Sequence, residues 1–376
     1  MSKTVTFDGA APAGTINFGI GQPSADLLPV DLVRRASQSF FEDAQPFELN
    51  YGVTQGDERF LASLAGFLSS SYGAPATSNE LFVTGGNSQA LDLVSVVFAN
   101  PGDTVFVEEP SYFLAFQIFR DHGLNIVGIP VDGDGLSVDA LRQELKSHKP
   151  AFLYTIPSYH NPGGQCTTKS RREQIVELAN EHDFLIVADE VYQLLHYYDP
   201  PPDAYGTMTS SERVVSLGSF SKILAPGLRL GWIQTSERLR ARIMGHGFIN
   251  SGGSINHISS LIVRQAIDNG SLDSHIETLR HSYRSRVAAM DEALQQHFGD
   301  IARWTRPNGG YFFWLEFGPS VDTAPLRDKA RTVKAGFQSG IVFSSRGQLS
   351  NCLRLSFAHY SEDKIREGIA RLRPLF

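Results

Sequence analysis

Between about residues 80 and 235, short runs of apolar and β-branched residues alternate with stretches of helical character. The runs are continuously apolar rather than alternating, which is typical of strands that are covered on both faces. Repeated alternation of strands and helices predicts a mostly parallel, doubly wound sheet and therefore an α/β fold. The predicted strands span residues 81–84, 104–108, 125–130, 152–156, 184–188, 214–217 and 230–234.

Two helices are predicted with defined bounds. The segment Ser170-Arg-Arg-Glu173 has the spacing of a capping box, which predicts a helix that begins there and runs to about His182. Apolar residues at helical spacing predict a long helix over residues 272–298.

The distribution of these elements predicts two domains. The α/β alternation belongs to a large domain over residues 42–270. A second αβ region follows the long helix, and the first residues read as an arm with a short connecting segment. We therefore expect a smaller αβ domain, with its N-terminal arm, to be built from residues 1–41 and 271–376.

Composition and net charge argue against several classes of binding partner. Of the 376 residues, 41% are apolar and 19% are charged, as in an ordinary soluble globular protein. The net charge of −7 argues against a nucleic-acid or anionic-membrane partner, since both require a concentrated basic surface. No apolar run approaches the ~18 residues of a membrane span, and the N-terminus lacks a secretory signal. Two cysteines without zinc-binding spacing predict no metal site and a reduced, cytoplasmic setting.

Polar residues gather where predicted strands end, which is where open α/β sheets bind ligands. Asn161 lies in an Asn-Pro-Gly-Gly turn after one strand, and Asp189 ends the next. The following strand ends in residues 219–222, Ser-Phe-Ser-Lys, with Arg229 seven residues later. Residues 85–89, Gly-Gly-Asn-Ser-Gln, follow the first strand and open a predicted helix. Each motif alone is ordinary, since Asp caps helices, lysine is usually solvated and Asn-Pro-Gly-Gly is a common turn.

Together these residues meet the demands of one cofactor chemistry. A carbonyl cofactor needs a partly neutral lysine for a Schiff base, a role that Lys222 would fill. A pyridine ring that withdraws electrons needs an anion at its nitrogen, and ionised Asp189 at the end of an apolar strand needs a cation. A phosphate needs hydroxyls, helix N-terminal N–H groups and an arginine fork. The serines of 219–222, the segment 85–89 and Arg229 would supply them.

The chain resembles a known family at these motifs. Residues 219–232, Ser-Phe-Ser-Lys-Ile-Leu-Ala-Pro-Gly-Leu-Arg-Leu-Gly-Trp, and 188–192, Ala-Asp-Glu-Val-Tyr, are similar to motifs of class I/II aminotransferases, which are fold type I enzymes dependent on pyridoxal 5'-phosphate (PLP). The similarity covers nearly the whole chain and is greatest to the 2-aminoadipate and aromatic aminotransferase branch. The fold it implies is a large PLP-binding domain with a doubly wound sheet and a smaller αβ domain.

The resemblance also implies an activity and an assembly. It implies ping-pong transfer of the amino group of an α-amino acid, of aromatic, aliphatic or 2-aminoadipate-like type, to a 2-oxo acid such as 2-oxoglutarate. It further implies a homodimer with shared active sites. Lyase, decarboxylase or oxidase chemistry on the same scaffold stays open, because the outcome depends on ångström-scale orientation of the α-carbon bonds.

The resemblance implies a cofactor-binding role for individual residues of this chain. Lys222 matches the lysine that carries the cofactor, and Asp189 matches the partner of its pyridine nitrogen. Asn161 and Tyr192 match the pair that hydrogen-bonds its phenolic oxygen, and Tyr112 matches the aromatic residue that stacks on its ring. Lys222, Asp189 and Tyr192 are thus the catalytic candidates. The positions that match phosphate contacts are Asn87, Ser88, Ser219, Ser221 and Arg229.

Further positions concern the substrate and the partner subunit. Arg354 matches the arginine that binds the substrate α-carboxylate, with Asn161 and Gly21 also lining the substrate site. Tyr51 matches the tyrosine that reaches the phosphate of the neighbouring subunit. No arginine precedes Arg34, so the N-terminal arm offers no arginine for a side-chain carboxylate, which favours aromatic or apolar donors.

Other classes of protein are less favoured. Residues 219–222 also satisfy the Ser-x-x-Lys motif of serine acyl-enzymes, with Ser219 and Lys222 as the active pair, but Pro226 and Gly227 prevent the long helix that this motif requires. No G-x-G-x-x-G opens a helix after a strand, which argues against a dehydrogenase. A regulator with an aminotransferase-like body is expected to carry an N-terminal DNA-binding domain, for which the about 17 residues before the similar region leave no room.

Overall fold

The computed structural model of the protein describes residues 13–376, which form strands and helices throughout. The strands are β1 (Ile16–Asn17), β2 (Leu81–Thr84), β3 (Thr104–Glu109), β4 (Asn125–Asp132), β5 (Gly135–Leu136), β6 (Pro150–Thr155), β7 (Leu185–Asp189), β8 (Val214–Ser219), β9 (Gly231–Thr235), β10 (Ala302–Arg303), β11 (Phe312–Phe317), β12 (Ala335–Gly336), β13 (Gln338–Ser339) and β14 (Cys352–Ser356). The α-helices are α1 (Val30–Asp43), α2 (Glu58–Tyr72), α3 (Asn87–Phe98), α4 (Phe113–Asp121), α5 (Val138–Glu144), α6 (Lys169–His182), α7 (Glu237–Met244), α8 (Gly247–Gly252), α9 (His257–Asp268), α10 (Ser271–Phe298), α11 (Thr323–Lys329) and α12 (Glu362–Leu372). Across residues 13–376, no helix is both long and apolar enough to cross a lipid bilayer.

The largest sheet has eight strands in the order β2-β9-β8-β7-β6-β3-β4-β5. Its centre, from β4 through β3, β6 and β7 to β8, is parallel. Antiparallel pairing adds β9 and β2 at one edge and β5 at the other. All seven strands predicted from the sequence are present, each with its ends within two residues of the prediction. The prediction of an α/β fold with a mostly parallel sheet is confirmed.

Apolar residues cover both faces of this sheet, which explains the continuously apolar strands. Along β7, Leu185 and Val187 contribute to one buried cluster, which includes residues of α2, α3 and α4. The alternate residues, Ile186 and Ala188, contribute to a second cluster with residues of α5 and α6. Because complete burial of a large apolar side chain stabilises a fold by about 1.5–3 kcal/mol, strand positions facing either cluster favour apolar residues.

The helix predicted from Ser170 begins earlier than the sequence suggested. Helix α6 starts at Lys169 with the extended residue Thr168 at its N-cap, so the predicted capping box is wrong. The Thr168 N–H donates to the carbonyl of Asp134 at 3.1 Å, which fixes the entry of the chain into the helix. The Ser170 hydroxyl instead accepts a hydrogen bond from Gln174 within the helix. The predicted end at His182 is confirmed, and the long helix α10 begins one residue before its predicted start.

The two ends of the described chain meet in a second αβ region. An antiparallel sheet has the order β10-β11-β14-β13, and α10 packs against α12. Near the N-terminus, β1 pairs in parallel with β12. The domain bounds, 42–270 against 1–41 with 271–376, stay a prediction, and residues 1–12 of the expected arm lie outside the described residues.

A buried arginine on α6 holds the loop between β6 and α6. The guanidinium of Arg172 is fully buried and donates to the carbonyl oxygens of Pro157 at 2.8 Å, Thr167 at 2.9 Å and Asp203 at 2.9 Å. The buried carboxylate of Glu190 lies 3.8 Å from it. One side chain therefore satisfies two main-chain carbonyls of the loop that follows β6 and one of the segment between β7 and β8.

We expect Arg172→Met to lower the free energy of unfolding by about 3–5 kcal/mol, because it leaves the Glu190 carboxylate and the loop carbonyls without their buried cation. Denaturant titration of the purified protein would measure the loss. Arg142→Met on α5 is the control, since Arg142 forms only an exposed ion pair and its replacement should cost less than about 1 kcal/mol. Equal losses for the two variants would contradict the structural role of Arg172.

Candidate active site

The carboxyl ends of β6, β7 and β8 meet at one edge of the sheet because the three strands are parallel. Asn161 follows β6, Asp189 is the last residue of β7, and Lys222 follows β8. A cavity of about 600 Å³ opens at this edge. Of the predicted site residues, all except Tyr51 line this cavity.

Lys222 is half-buried at the base of the cavity. Its Nζ donates a hydrogen bond to the carbonyl oxygen of Gly21 at 3.0 Å and lies 5.3 Å from the centre of the Tyr311 ring. Burial, together with the nearby positive charge of Arg354, lowers the pKa of Lys222 to about 8. The neutral form of this amine, which a nucleophile or base requires, is therefore much more populated near neutral pH than in an ordinary lysine.

The carboxylate of Asp189 is buried at the end of β7. Asn87 Nδ2 donates to its Oδ1 at 2.6 Å, and the Tyr154 hydroxyl donates to its Oδ2 at 2.9 Å. Burial raises the pKa of Asp189 above its ordinary value, while these hydrogen bonds act in the opposite direction. The side chain of Asn87 is thus committed to Asp189. The expectation of a phosphate contact at this position remains a prediction for its main-chain N–H.

The N-terminus of α3 faces two hydroxyls and an arginine. Gly86 precedes α3 with a positive φ of 84°, and a Cβ at this position would lie 3.1 Å from Arg229 Nη2. Arg229 Nη2 donates to the carbonyl oxygen of Gly85 at 3.2 Å. The hydroxyls of Ser219 and Ser221 lie 2.9 Å apart, and the exposed Ser88 lies in the first turn of α3. Free helix N–H groups, hydroxyls and a guanidinium are the groups that bind phosphate in proteins.

Arg354 on β14 is buried beside the Asn161 turn. Its Nη1 donates to Asn161 Oδ1 at 2.9 Å and its Nη2 to the carbonyl of Gly19 at 3.0 Å. The guanidinium carbon lies 4.1 Å from the centre of the Phe312 ring. Burial lowers the pKa of Arg354 to about 10, and its buried Nε has no hydrogen-bond partner among residues 13–376. A buried guanidinium with neutral partners is suited to binding a carboxylate from outside the chain.

Two tyrosines complete the lining near these groups. Tyr192 is buried, with its ring 5.3 Å from that of Tyr311, and burial raises its pKa well above the ordinary range. Tyr112 precedes α4 and is partly exposed to the cavity. Burial and the charge of Asp189 raise the pKa of Tyr112 to about 12. Both hydroxyls therefore stay protonated near neutral pH and are available as hydrogen-bond donors.

Gly21 and Tyr51 lie in different surroundings. A Cβ at Gly21 would lie 3.1 Å from Phe312 Cζ, so a side chain there would narrow the cavity. Tyr51 does not line the cavity, and 76% of its surface is exposed. Its carbonyl oxygen accepts a hydrogen bond from the Ser254 N–H at 3.0 Å. Tyr51 is the one predicted site residue that this chain alone does not bring to the site.

Sequence reasoning missed several residues of the site. Tyr154 lies within an apolar strand. Only the alternation of side chains between the two buried faces of the sheet could have shown that its hydroxyl lies next to Asp189. Tyr311 contacts Lys222 from a distant part of the chain, where its hydroxyl donates to the Lys222 carbonyl at 3.3 Å. Asn17 and Gln338 also line the cavity and carried no recognisable motif.

The lining fits a phosphorylated pyridine aldehyde in three separate respects. Lys222 offers a half-buried amine whose pKa is near 8. Asp189 is a buried carboxylate with hydrogen-bond donors that are neutral, so a cation from a ligand would complete its environment. The approach of Gly86 to Arg229 leaves a cradle that a Cβ at position 86 would fill.

Known proteins of one family match this chain in both sequence and structure. The family model for aminotransferase class I and II matches residues 13–372. Aromatic-amino-acid aminotransferase 1 of Thermococcus litoralis is 34% identical to this chain over 95% of it and 87% of the relative. A multiple substrate aminotransferase from Thermococcus profundus has a TM-score of 0.91 and 32% identity, covering 97% of this chain and 91% of its own.

A further similar structure contains a derivative of the cofactor. The alpha-aminoadipate aminotransferase from Thermus thermophilus, solved with N-(5'-phosphopyridoxyl)-L-leucine, has a TM-score of 0.88 and 29% identity, covering 96% of this chain and 92% of its own. Its ligand joins a pyridoxal phosphate skeleton to an amino acid, the two kinds of group for which the cavity has matching residues. This chain belongs to the class I and II aminotransferases and is a PLP-dependent enzyme with the fold type I α/β architecture.

Proposed function

We propose that this aminotransferase moves the amino group of an aromatic, aliphatic or 2-aminoadipate-like α-amino acid to a 2-oxo acid such as 2-oxoglutarate, in two half-reactions. The observation that carries the proposal is the convergence of Lys222, Asp189 and Arg354 on one cavity. These side chains offer an amine, a buried anion and a carboxylate-binding guanidinium. Amino transfer through a pyridine cofactor uses all three.

The cofactor-binding roles follow from position and charge. Bound PLP supplies an electron-withdrawing ring that stabilises negative charge at the substrate α-carbon. Asp189 holds a negative charge for the ring nitrogen, and Tyr112 supplies an aromatic surface at the cavity wall. Asn161 and Tyr192 would donate hydrogen bonds to the phenolic oxygen. The phosphate would be bound by the Asn87 main chain together with Ser88, Ser219, Ser221 and Arg229.

Lys222 has two proposed tasks, since it binds the cofactor covalently and, once freed, moves a proton from the α-carbon. A general base works best when its pKa lies near the operating pH, and burial with Arg354 places the pKa of Lys222 at about 8. The hydrogen bond to the Gly21 carbonyl gives Nζ a fixed direction at the cavity. Lys222 is therefore both close to the reacting atoms and basic enough to serve.

Arg354 is the proposed ligand of the substrate α-carboxylate. Its guanidinium is held by Asn161 and Gly19 and packs against Phe312, so its direction is fixed before substrate arrives. Preorganised binding of the carboxylate orients the α-carbon, which decides between amino transfer and lyase, decarboxylase or oxidase outcomes.

The remaining cavity wall supports donors with apolar side chains. Leu91, Phe113, Leu114 and Phe312 line it. The relatives are named for aromatic amino acids, alpha-aminoadipate and multiple substrates, which agrees with a side-chain pocket of broad specificity.

A second copy of the chain would complete the site. Phe47, Leu49, Tyr51 and Val53 follow one another along an exposed segment, and each exposes more than half of its surface. A run of exposed large apolar residues marks an interaction surface. We propose a homodimer in which this segment crosses to the neighbouring subunit and Tyr51 reaches that subunit's phosphate site.

The cysteines agree with the proposed cytoplasmic setting. Cys166 and Cys352 are both free thiols, one half-buried and one buried. Free thiols persist in a reducing compartment.

A spectroscopic screen tests the reaction and the donor class. Conversion of PLP to its aminated form is followed by absorbance with single amino acids, and 2-oxoglutarate is then added to reverse it. We expect phenylalanine and leucine to outperform aspartate in kcat/KM, because Leu91, Phe113, Leu114 and Phe312 make much of the pocket wall apolar. The highest kcat/KM for aspartate would overturn the donor class. Release of carbon dioxide or ammonia in place of reversible conversion would overturn amino transfer itself.

The rate at which PLP attaches to the apoprotein should rise with pH and level off above about pH 8. Only the neutral amine attacks an aldehyde, so attachment is slow while Lys222 is protonated, below its pKa of about 8. Stopped-flow absorbance measures the rate, and borohydride reduction with peptide mapping should place the label on Lys222. The control Lys222→Ala should bind PLP without covalent attachment. A rate that still rises at about pH 10, as for an ordinary lysine, would contradict the assigned environment.

Mixing of two inactive variants tests the shared site. Tyr51→Ala lacks the phosphate contact but keeps Lys222, whereas Lys222→Ala lacks the amine but keeps Tyr51. A mixed dimer would contain one site with both intact residues if Tyr51 acts across the interface, so activity should approach about half of wild type per mixed dimer. Activity no higher than the average of the two parents would place Tyr51 in its own subunit's site or outside any site.

A further inference from the structure

Gln338 lies directly opposite Arg354 in the antiparallel pairing of β13 with β14. Directly paired residues project their side chains from the same face of a sheet, with Cβ atoms about 4.5–5.5 Å apart. Both side chains line the cavity, and Gln338 is partly exposed to it. The carboxamide of Gln338 therefore lies beside the guanidinium proposed to bind the substrate α-carboxylate.

The main chain at Gly19 makes room for this carboxamide. A Cβ at Gly19 would lie 3.2 Å from Gln338 Nε2 and 3.0 Å from Asn17 Oδ1, both closer than ordinary contacts. The Gly19 N–H donates to Asn17 Oδ1 at 2.9 Å, and its carbonyl accepts from Arg354 Nη2 at 3.0 Å. Because position 19 has no side chain, the amide groups of Asn17 and Gln338 can approach the main chain there, on the side of Arg354 that donates to the Gly19 carbonyl.

Each charged side chain in the described lining of the cavity already has a proposed ligand. The charged side chains of its described lining are Asp189, Lys222, Arg229 and Arg354. Under the proposed function these groups serve the pyridine nitrogen, the covalent link, the phosphate and the α-carboxylate. A distal carboxylate, such as that of 2-oxoglutarate, then has no unassigned cation among these lining residues. A carboxamide can donate a hydrogen bond to such an oxygen, and it adds no buried charge that would oppose an apolar side chain.

We propose that Gln338 is a specificity-determining residue that donates a hydrogen bond from its Nε2 to the distal oxygen of polar-ended substrates, dicarboxylic 2-oxo acids above all. The neutral amide allows the same pocket to accept aromatic and aliphatic side chains in the other half-reaction. The inference rests on the proposed function and deepens it, since it names the group that distinguishes the two substrate classes.

Two substitutions of opposite character test this role. The measured quantity is the ratio of kcat/KM for 2-oxoglutarate to kcat/KM for phenylpyruvate, each in the half-reaction with the aminated enzyme. Gln338→Leu removes the donor at similar volume and should lower the ratio about tenfold, the usual effect of losing one hydrogen bond to a charged group. Gln338→Lys adds a cation and should raise the ratio. Gln348→Leu, in an exposed position of the same region, is the control and should leave the ratio unchanged.

The outcomes separate the inference from the function on which it rests. Equal losses for both oxo acids in Gln338→Leu, with unchanged PLP absorbance and melting temperature, would place the amide on the α-carboxylate and overturn the inference. An unchanged ratio in both Gln338 variants would overturn it as well. If wild-type protein converts neither oxo acid, the proposed function itself fails, independently of Gln338. A change in opposite directions for the leucine and lysine variants would support the inference even if one variant were less stable.

Discussion

The buried carboxylate of Asp189 is the constraint on which the arrangement of the site depends. A carboxylate at the end of an apolar strand costs several kcal/mol unless donors surround it. Asn87 at the start of α3 and Tyr154 on β6 supply two of these donors, so the same carboxylate fixes the helix N-terminus and the neighbouring strand. The turn before α3 is thereby held beside Arg229, where a phosphate would lie. The anion proposed for the ring nitrogen and the proposed phosphate cradle thus form one structural unit.

Much of the fold and site could be predicted because the signals were local. Seven strands followed from continuous apolar runs, and the polar ends of those runs placed Asn161, Asp189 and Lys222 at one edge of the sheet. The start of α6 could not be predicted, since Thr168 is selected as N-cap by a main-chain bond to Asp134 that sequence spacing does not reveal. Contacts between distant segments decided the outcome there.

Contacts between distant segments also determine the positions of several side chains of the site. Motif position suggested a phosphate contact for Asn87, but the direction of its side chain depends on a carboxylate 102 residues away. Sequence position likewise gives no indication that His160 is buried, with its Nε2 3.1 Å from the buried Glu108 carboxylate. Gln338 acquires a place in the cavity only through the register of β13 against β14. Tyr51, in contrast, matches a site position in the sequence but does not reach the site in a single chain, because its proposed partner lies on another copy of the chain.

The charged side chains of the cavity favour anionic ligands and also influence one another. Three cations, Lys222, Arg229 and Arg354, face one carboxylate among the described lining residues, so the site is electrostatically suited to anions. The positive charge of Arg354 is also one reason why the pKa of Lys222 falls to about 8. Binding of anions at either arginine offsets that charge, and the lysine then becomes more basic. The arginines proposed to bind a phosphate and an α-carboxylate therefore also affect the pKa of the amine that lies between them.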